Sequence, residues 1–179
     1  MFRETYRVGK IIGHGSRGTI RKCTHIKTNK EFAFKTVLGE KDICQNHNED
    51  VVTMKCSHKN IIQLIQVQHI DDERYKPQKL LVYELADGDM FNFLTHDPEQ
   101  LNERDARLII KQMIEPIDYL QSKGICHRDI KLENYVYFVN DKTKPVTPDN
   151  MTIKLIDFEF SGYLEEGGKM FGKKGTPGY

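Results

Sequence analysis

The sequence HRDIKLEN, at residues 127–134, is the most informative stretch of this chain of 179 residues. Asp129 can accept or orient the proton of an attacking hydroxyl group. Lys131, two positions later, can neutralise the negative charge of a phosphate that is being transferred. Phosphoryl transfer depends on positioned charges of this kind far more than on covalent chemistry by the protein. The stretch therefore predicts that Asp129 and Lys131 are catalytic residues.

Candidate metal ligands lie in and beyond the same stretch. Asn134 ends it, and Asp157 opens the triplet DFE at residues 157–159, which begins 23 positions after Asn134. Amide and carboxylate oxygens are hard ligands of the kind that holds Mg2+ against the phosphates of a nucleotide. We therefore predict that Asn134 and Asp157 bind Mg2+.

These two motifs resemble the catalytic loop HRDxKxxN and the metal-binding motif DFG of eukaryotic protein kinases. A lysine two residues after the aspartate is typical of the serine/threonine type. The resemblance implies a kinase that uses ATP and Mg2+ to phosphorylate serine and threonine hydroxyls of protein substrates. It also places Thr176 in the wall that faces the substrate. One position departs from the motif, because Glu159 replaces the glycine of DFG and adds a negative charge near Asp157.

A glycine-rich run, GHGSRG at residues 13–18, lies between two predicted strands. Such a run can form an ordinary hairpin, or a loop whose backbone N–H groups approach phosphates. In protein kinases the corresponding loop covers the phosphates of ATP. The resemblance therefore implies nucleotide binding by the loop and the strands beside it, at Ile12, Gly13, His14, Gly15, Ser16, Gly18 and Ile20.

Lys35 lies on the next predicted strand, in the triplet AFK at residues 33–35. By resemblance, this lysine contacts the α- and β-phosphates of ATP, and Glu49 on the following helix forms an ion pair with it. The segment between strand and helix is short, so the register of the helix is open. Asp50 is therefore an alternative partner for Lys35.

The sequence LVYELADGD at residues 81–89 resembles the hinge between the two lobes of a kinase. The resemblance implies that the backbone of Glu84 and Ala86 binds the edge of adenine, and that Asp89 binds the ribose. Tyr83 would be the bulky residue at the back of the nucleotide pocket. Apolar contacts to the base would come from Ile20, Ala33 and Val136.

Hydrophobic patterning predicts a sheet region first. Residues 6–38 alternate short β-prone runs with turns, of which residues 25–30 form the clearest hairpin turn. A single helix is predicted over residues 41–54, and two further strands over residues 60–67 and 79–85. The first part of the chain should therefore form a small antiparallel sheet with one helix.

A helical region follows a turn at residues 86–89. Asn102 is a candidate N-cap, and Gly124 is the predicted stop of a long helix. Pro116 lies inside this helix, where proline costs about 3 kcal/mol. Two strands are predicted after it, at residues 135–139 and 151–156, with a long polar loop between them. The predicted buried face of the helix contains Ala106, Ile109, Ile110, Met113, Ile114, Ile117 and Leu120.

The predicted fold is α+β and bilobal, as in protein kinases. We expect residues 1–85 to form the sheet lobe, and residues 86–179 to form part of a mainly helical lobe that ends in the activation segment. The sequence stops before the helices that complete the large lobe in this family. We therefore expect exposed apolar surface on that lobe and a partner that covers it.

Composition argues against several other classes. Lys and Arg total 27 against 26 Asp and Glu, and a net charge of +1 gives nucleic-acid binding no support. The N-terminus lacks the apolar run of a signal peptide, and no apolar run is long enough to span a bilayer. We expect a soluble cytoplasmic or nuclear protein with reduced thiols and no membrane contact. The spacing of one candidate set matches no common zinc site: Cys44, His47, Cys56 and His58.

Two other hypotheses remain open. The chain could be an inactive kinase-like module that binds nucleotide or a partner, which the missing helices favour and intact Lys35, Asp129 and Asp157 oppose. It could also be an incomplete gene product without independent function, which predicts that the chain does not unfold cooperatively.

Overall fold

The computed structural model describes residues 2–15, 18–38, 49–70, 78–96, 101–164 and 175–176. The chain forms two compact units. Unit 1 comprises Met1–Val51 and Gln63–Leu85, and unit 2 comprises Val52–Ile62 and Ala86–Tyr179. The segment Val52–Ile62, which we expected within the sheet lobe, thus belongs with unit 2.

Unit 1 is built on a five-stranded antiparallel sheet. The elements in chain order are α1 (Phe2–Thr5), β1 (Tyr6–Gly15), β2 (Gly18–His25), β3 (Glu31–Leu38), α2 (Glu49–Lys55), β4 (Leu64–Ile70) and β5 (Gln78–Glu84). Only the start of α2, up to Val51, belongs to unit 1. In space the strands follow the order β1-β2-β3-β5-β4. The predicted meander and its hairpin turn are confirmed, since β2 and β3 are joined by a turn in which Asn29 has a φ of 55°. Residues 41–48 of the predicted helix lie outside the described residues.

Aromatic side chains form the core of unit 1. Phe2 stacks on Tyr6 with 4.9 Å between ring centroids, and Phe2 also packs on Phe34. The Tyr6 hydroxyl donates to Oε1 of Gln66 at 2.9 Å. Burial of such rings contributes about 1.5–3 kcal/mol for each large side chain. The core cluster comprises Phe2, Tyr6, Cys23, Phe32, Phe34, Leu80 and Val82.

The described residues of unit 2 include the end of α2, two further α-helices and short sheets. Its elements are β6 (Gly88–Asp89), α3 (Met90–His96), α4 (Glu103–Ser122), β7 (Ile125–Cys126), β8 (Tyr135–Val139), β9 (Met151–Leu155) and β10 (Gly162–Tyr163). Strands β6, β8 and β9 form one sheet, and β7 pairs with β10. The predicted strands at residues 135–139 and 151–156 are confirmed. Residues 88–89, predicted as part of a turn, form the edge strand β6 instead.

The strand predicted over residues 60–67 begins later, at Leu64. The reason is that Asn60–Ile62 bonds to β9 in place of the five-stranded sheet. The Leu155 N–H donates to the Asn60 carbonyl at 2.8 Å, and the Ile62 N–H donates to the Leu155 carbonyl at 3.0 Å. His58 also stacks on Tyr119 of α4, with 5.1 Å between ring centroids. These contacts explain why Val52–Ile62 groups with unit 2.

The long helix α4 has the predicted ends. Oδ1 of the N-cap Asn102 accepts from the Asp105 N–H at 3.0 Å, and Gly124 has a φ of 65° after the last turn. Ile109 and Leu120 are buried as predicted. Two other predictions for this face are wrong, because Ile110 and Ile114 are 53% and 55% exposed. Among the described residues, none covers that side of the helix.

Pro116 lies within α4 without ending it. Its ring cannot donate the backbone hydrogen bond that the Gln112 carbonyl would otherwise accept. Pro116 is nevertheless fully buried, so apolar packing of the ring offsets part of that lost bond. At 20 residues α4 is the longest helix in the described part of the chain, and no helix there is long and apolar enough to cross a membrane.

Candidate active site

Asp129 lies at the centre of a hydrogen-bond network in unit 2, and only 5% of the residue is exposed. Its Oδ1 accepts from the Thr176 N–H at 3.0 Å and from the Thr176 hydroxyl at 2.7 Å. Its Oδ2 accepts from Nδ2 of Asn134 at 2.9 Å and lies 2.9 Å from Nζ of Lys131. Two donors therefore hold each carboxylate oxygen, which fixes the plane of the group.

The same contacts set the charge of Asp129. Burial raises the pKa of the Asp129 carboxyl, but hydrogen bonds from Thr176, Lys131 and Asn134 together outweigh it. The pKa of Asp129 therefore lies below its ordinary value. The group is a carboxylate at neutral pH, and a substrate hydroxyl would bind it by displacing one of these four donors.

Lys131 is placed beside Asp129, as the spacing of the motif predicted. Its Nζ donates to the Thr176 hydroxyl at 2.5 Å and lies 2.9 Å from Oδ2 of Asp129. A 3-10 turn, Leu132–Asn134, follows directly and ends at the buried Asn134. Residues 127–134 therefore form a compact turn in which Lys131 and Asp129 lie in direct contact.

His127 connects the two motifs. Its Nδ1 accepts from the Asp129 N–H at 3.3 Å, and its Nε2 lies 2.9 Å from the Ile156 carbonyl oxygen. The neutral ring carries its proton on Nε2, because the Ile156 carbonyl can only accept. Its edge contacts the ring of Phe158, with 4.9 Å between centroids. The motif contained this residue, but nothing in its spacing indicated these contacts.

Stability should depend on pH through His127. Burial lowers the pKa of His127 from 6.5, against the raising influence of the Ile156 carbonyl, so the unfolded chain binds the proton more readily. The free energy of unfolding should fall as the pH drops below about 6.5, by at most about 1.4 kcal/mol per pH unit for this one group. Urea unfolding between pH 5.5 and 7.5 measures the slope, above the range in which carboxylates titrate.

His127→Gln is the test variant for this slope, and it should reduce the pH dependence. His58, whose pKa burial also lowers, contributes with the same sign. His58→Gln therefore serves as the matched variant, at a half-buried position on the loop before β4. Equal slopes in the wild type and His127→Gln would contradict the assignment to His127.

The candidate metal ligands lie next to each other. Nδ2 of Asn134 donates to the backbone oxygen of Asp129 at 2.7 Å and to its Oδ2, so its amide nitrogen is engaged and its carbonyl oxygen is the atom a cation would bind. The Ile156 N–H donates to the Asn134 backbone oxygen at 2.9 Å, which brings Asp157 beside Asn134. Oxygen donors of this type suit Mg2+. Within the described residues, no group of three or more His, Cys, Asp or Glu side chains is placed to hold a metal ion.

Backbone strain is concentrated at the two motifs. Arg128 and Asp157 have φ angles of 69° and 61°, in the left-handed region that costs about 1–3 kcal/mol for residues with a side chain. Nε of Arg128 donates to the Phe160 carbonyl at 2.5 Å, which ties the first motif to the residues after the second. A Cβ on Gly175 would lie 2.8 Å from the Arg128 carbonyl, so that position also requires glycine.

Glu159, which replaces the motif glycine, is buried with 2% exposure. In the described part of the chain, positive φ in residues other than glycine occurs only at Asn29, Arg128 and Asp157. Glu159 therefore has a backbone conformation that any residue can adopt. Replacing the motif glycine with Glu159 therefore causes no backbone strain next to Asp157.

The glycine-rich run connects β1 and β2, as predicted. Gly13 is the register partner of Ile20, and Gly15 is the partner of Gly18. A Cβ on Gly18 would lie 2.1 Å from the Thr36 backbone oxygen, so close packing against β3 requires glycine here. Ser16 lies outside the described residues. Ile12 and His14, two other predicted nucleotide contacts, are exposed on β1.

Lys35 of β3 pairs with Glu49 of α2. Nζ of Lys35 lies 2.9 Å from Oε2 of Glu49, and both side chains are buried. The alternative partner Asp50 instead binds Lys79 of β5, at 2.5 Å. The structure therefore selects Glu49, and the role of the pair in nucleotide binding stays a prediction.

The residues of the predicted hinge have structural contacts of their own. The Glu84 N–H donates to the Gln63 carbonyl at 3.3 Å, so this part of the backbone predicted to bind adenine already has a partner. Both carboxylate oxygens of Asp89 accept from Asn92, at 2.8 and 2.7 Å, which caps α3. Sequence reasoning missed this capping role, although Asp is one of the residues preferred at the N-cap of a helix. A ribose contact by Asp89 would have to compete with the cap.

The remaining predicted base contacts divide between the units. In unit 1, Ala33 is the register partner of Tyr83, and Ile20 is the partner of Lys35. In unit 2, Val136 is the register partner of Asp89. The predicted nucleotide contacts in unit 1 are Ile12, Gly13, His14, Gly15, Gly18, Ile20, Ala33, Lys35 and Glu84, and those in unit 2 are Ala86, Asp89 and Val136.

The sequence of this chain is similar to one family of domains and to several known kinases. The sequence matches the family described as protein kinase domain over residues 6–179. The liver/testis isoform of the phosphorylase b kinase gamma catalytic chain from Bos taurus is 31% identical over 99% of this chain and 43% of its own length. A probable myosin light chain kinase from Dictyostelium discoideum is 31% identical over 98% of this chain and 43% of the relative. The serine/threonine-protein kinase DCLK1 from Rattus norvegicus is 33% identical over 98% of this chain and 38% of its own length. The chain therefore spans less than half the length of each of these relatives.

Proposed function

Because this chain belongs to the protein kinase domain family, we propose that it transfers the γ-phosphate of ATP to serine and threonine hydroxyls of protein substrates. Its relatives include the serine/threonine-protein kinase DCLK1 at 33% identity and the phosphorylase b kinase gamma catalytic chain at 31%. The observation that carries the proposal is the Asp129 network, in which a buried carboxylate, a lysine and an asparagine converge within hydrogen-bond distance.

Asp129 and Lys131 have separate tasks in the proposed reaction. The Asp129 carboxylate accepts a hydrogen bond from the substrate hydroxyl and orients its oxygen for in-line attack on the γ-phosphorus. Lys131 places its positive charge against the oxygens of the phosphoryl group while charge develops there. The 2.9 Å contact between the two groups keeps both at the same reacting centre.

Other residues bind the nucleotide and the metal. We assign Lys35, held by Glu49, to the α- and β-phosphates, and the backbone of the glycine-rich run to the same phosphates. The Asn134 carbonyl oxygen and the Asp157 carboxylate would hold Mg2+. The bound ion neutralises phosphate charge, which makes the nucleotide a better phosphoryl donor.

The proposal is tested by incubating the chain with Mg-ATP that carries a labelled γ-phosphate and a library of peptides containing serine, threonine or tyrosine as the sole acceptor. Transfer to serine and threonine peptides supports it. Nucleotide binding without transfer to any peptide would instead support the inactive, nucleotide-binding alternative.

Lys131→Met should lower kcat by about 10²-fold, because it removes one charged group from the transition state. KM for ATP should change little, since Lys131 contacts the reacting group and not the base or ribose. Steady-state kinetics with a peptide that accepts the phosphate measure kcat and KM for ATP. Lys123→Met, at an exposed lysine after α4, is the matched control and should keep wild-type kcat. Equal kcat for Lys131→Met and the control would exclude Lys131 from the catalytic step.

A further inference from the structure

Three polar side chains surround the start of α2 on one face of the sheet in unit 1. Lys79 and Tyr83 are four residues apart on β5, so they point to the same face. Leu81, between them, is the register partner of Lys35 on β3. Residues directly opposite each other in a sheet share a face. Lys35, Lys79 and Tyr83 therefore form one group.

This group binds the two acidic residues that begin α2. Glu49 uses both carboxylate oxygens, because Oε2 accepts from Lys35 and Oε1 accepts from the Tyr83 hydroxyl, each at 2.9 Å. Asp50 accepts from Lys79 through Oδ2 at 2.5 Å. The four charged side chains are nearly buried, with exposures of 5% and 4% for the first pair and 8% and 11% for the second.

The physical effect of Tyr83 follows from this division of the two oxygens. A carboxylate held by one lysine can still rotate and shift along the ammonium group. A second donor on the other oxygen fixes both the plane and the position of the carboxylate. A buried charge pair offsets the cost of desolvation best where its other polar atoms are also hydrogen-bonded, as both carboxylate oxygens of Glu49 are.

The short length of α2 makes these contacts important. A helix of seven residues is too short to be stable by its own hydrogen bonds, so tertiary contacts fix its position. The contacts of Glu49 and Asp50 with β3 and β5 supply two fixed points at its first turn. The place of Glu49 relative to Lys35 thus depends on β5 as well as on β3.

We propose that strand β5 positions the Lys35–Glu49 pair, with the Tyr83 hydroxyl fixing Glu49 and Lys79 anchoring the helix through Asp50. Tyr83 and Lys79 are positioning residues, since they act on the nucleotide-binding lysine through other side chains. The inference rests on the proposed function for its effect on catalysis, and on geometry alone for its effect on Lys35.

Tyr83→Phe is the principal test, because it removes the hydroxyl and keeps the ring. Its matched control is Tyr6→Phe, which removes a hydroxyl that donates to Gln66 at the same 2.9 Å in the same unit. With Mg-ATP and a peptide that accepts the phosphate, Tyr83→Phe should lower kcat about tenfold, because a hydrogen bond to a charged group is lost. KM for ATP should change less than about threefold, whereas Tyr6→Phe should keep both constants.

A second measurement, the rate of chemical acetylation, tests how firmly Lys35 is held and does not depend on catalysis. Acetic anhydride acetylates free amines, and mass spectrometry gives the rate at Lys35 relative to the partly exposed Lys22. Tyr83→Phe should raise the relative rate at Lys35 about threefold, because loosening of Glu49 weakens a charge-assisted contact of the ammonium group. Tyr6→Phe should not change it.

The Lys79 anchor needs a variant that leaves no buried charge unpaired, since a lone buried charge would destabilise the fold by itself. The double variant Lys79→Met/Asp50→Leu removes both charges. It should raise Lys35 acetylation and lower kcat in the same direction as Tyr83→Phe. Unchanged values in a folded double variant would overturn the role of Lys79.

The two measurements separate the inference from the proposed function. If the wild type transfers phosphate and Tyr83→Phe matches it in kcat and in Lys35 acetylation, the positioning role of Tyr83 is wrong. If the wild type transfers no phosphate but Tyr83→Phe raises Lys35 acetylation, the proposed function fails and the positioning role stands. If neither transfer nor a change in acetylation is observed, both are wrong.

Discussion

Asp129→Asn is expected to lower kcat for phosphotransfer by about 10³-fold, within the range that general acid–base groups contribute. The amide has nearly the shape of the carboxylate, so the turn should fold. In the wild type the Thr176 hydroxyl donates to Oδ1 of Asp129, and Nζ of Lys131 lies against Oδ2. The amide nitrogen of asparagine cannot accept a hydrogen bond, so one of these two contacts is lost. The charge that orients the substrate hydroxyl is also lost. Single-turnover kinetics with labelled ATP measure the chemical step directly.

Asp118→Asn is the control for this variant, because Asp118 is exposed on α4. It should transfer phosphate at the wild-type rate. Retention of more than about a tenth of wild-type kcat in Asp129→Asn would contradict a general-base or orienting role, given the usual contribution of such groups.

Asp157→Ala is expected to abolish the stabilisation of the chain by Mg-ATP. A ligand at a hundredfold excess over its Kd stabilises a folded protein by about 2.7 kcal/mol. Thermal melting of the wild type with and without Mg-ATP should show this shift, and Asp157→Ala should show almost none. The reason is that Asp157 supplies the carboxylate of the proposed metal site, whereas Asn134 supplies only a neutral amide oxygen.

The melting experiment also separates the other hypotheses. Asp118→Ala should keep the full shift and so controls for loss of a carboxylate as such. A cooperative transition without any response to Mg-ATP would contradict the nucleotide site. Absence of a cooperative transition in the wild type would favour an incomplete gene product, and a normal shift in Asp157→Ala would exclude Asp157 as a metal ligand.

The elements that sequence predicted best are those that local interactions specify. The N-cap of α4 is an example, since Asn102 and Asp105 are neighbours in sequence and form the capping bond in the structure. The strand β4 shows the opposite case. Residues 60–62 have a strand-like pattern, but they bond to β9, more than ninety residues later, and only the folded chain shows this pairing.

The site divides in a similar way. The motif at residues 127–134 was sufficient to predict that Asp129 and Lys131 lie together, because its spacing is itself a local signal. The bonds of Thr176 to Asp129 span 47 positions, and the resemblance placed Thr176 only in a general wall. The choice of Glu49 over Asp50 depended on the register of α2 against β3 and β5. Register between distant elements is set by packing, which the sequence pattern does not state.

The strand order β1-β2-β3-β5-β4 has a consequence for how this chain acquires its structure. The first three strands can form as successive hairpins soon after synthesis, because each pairs with its neighbour in sequence. Strand β4 emerges from the ribosome before β5 but lacks a pairing partner until β5 inserts between it and β3. The sheet therefore cannot be completed until the residues around Leu81 have been synthesised. Until then the edge of β3 has no pairing strand, and it is the surface to which a chaperone or another unfolded chain can bind.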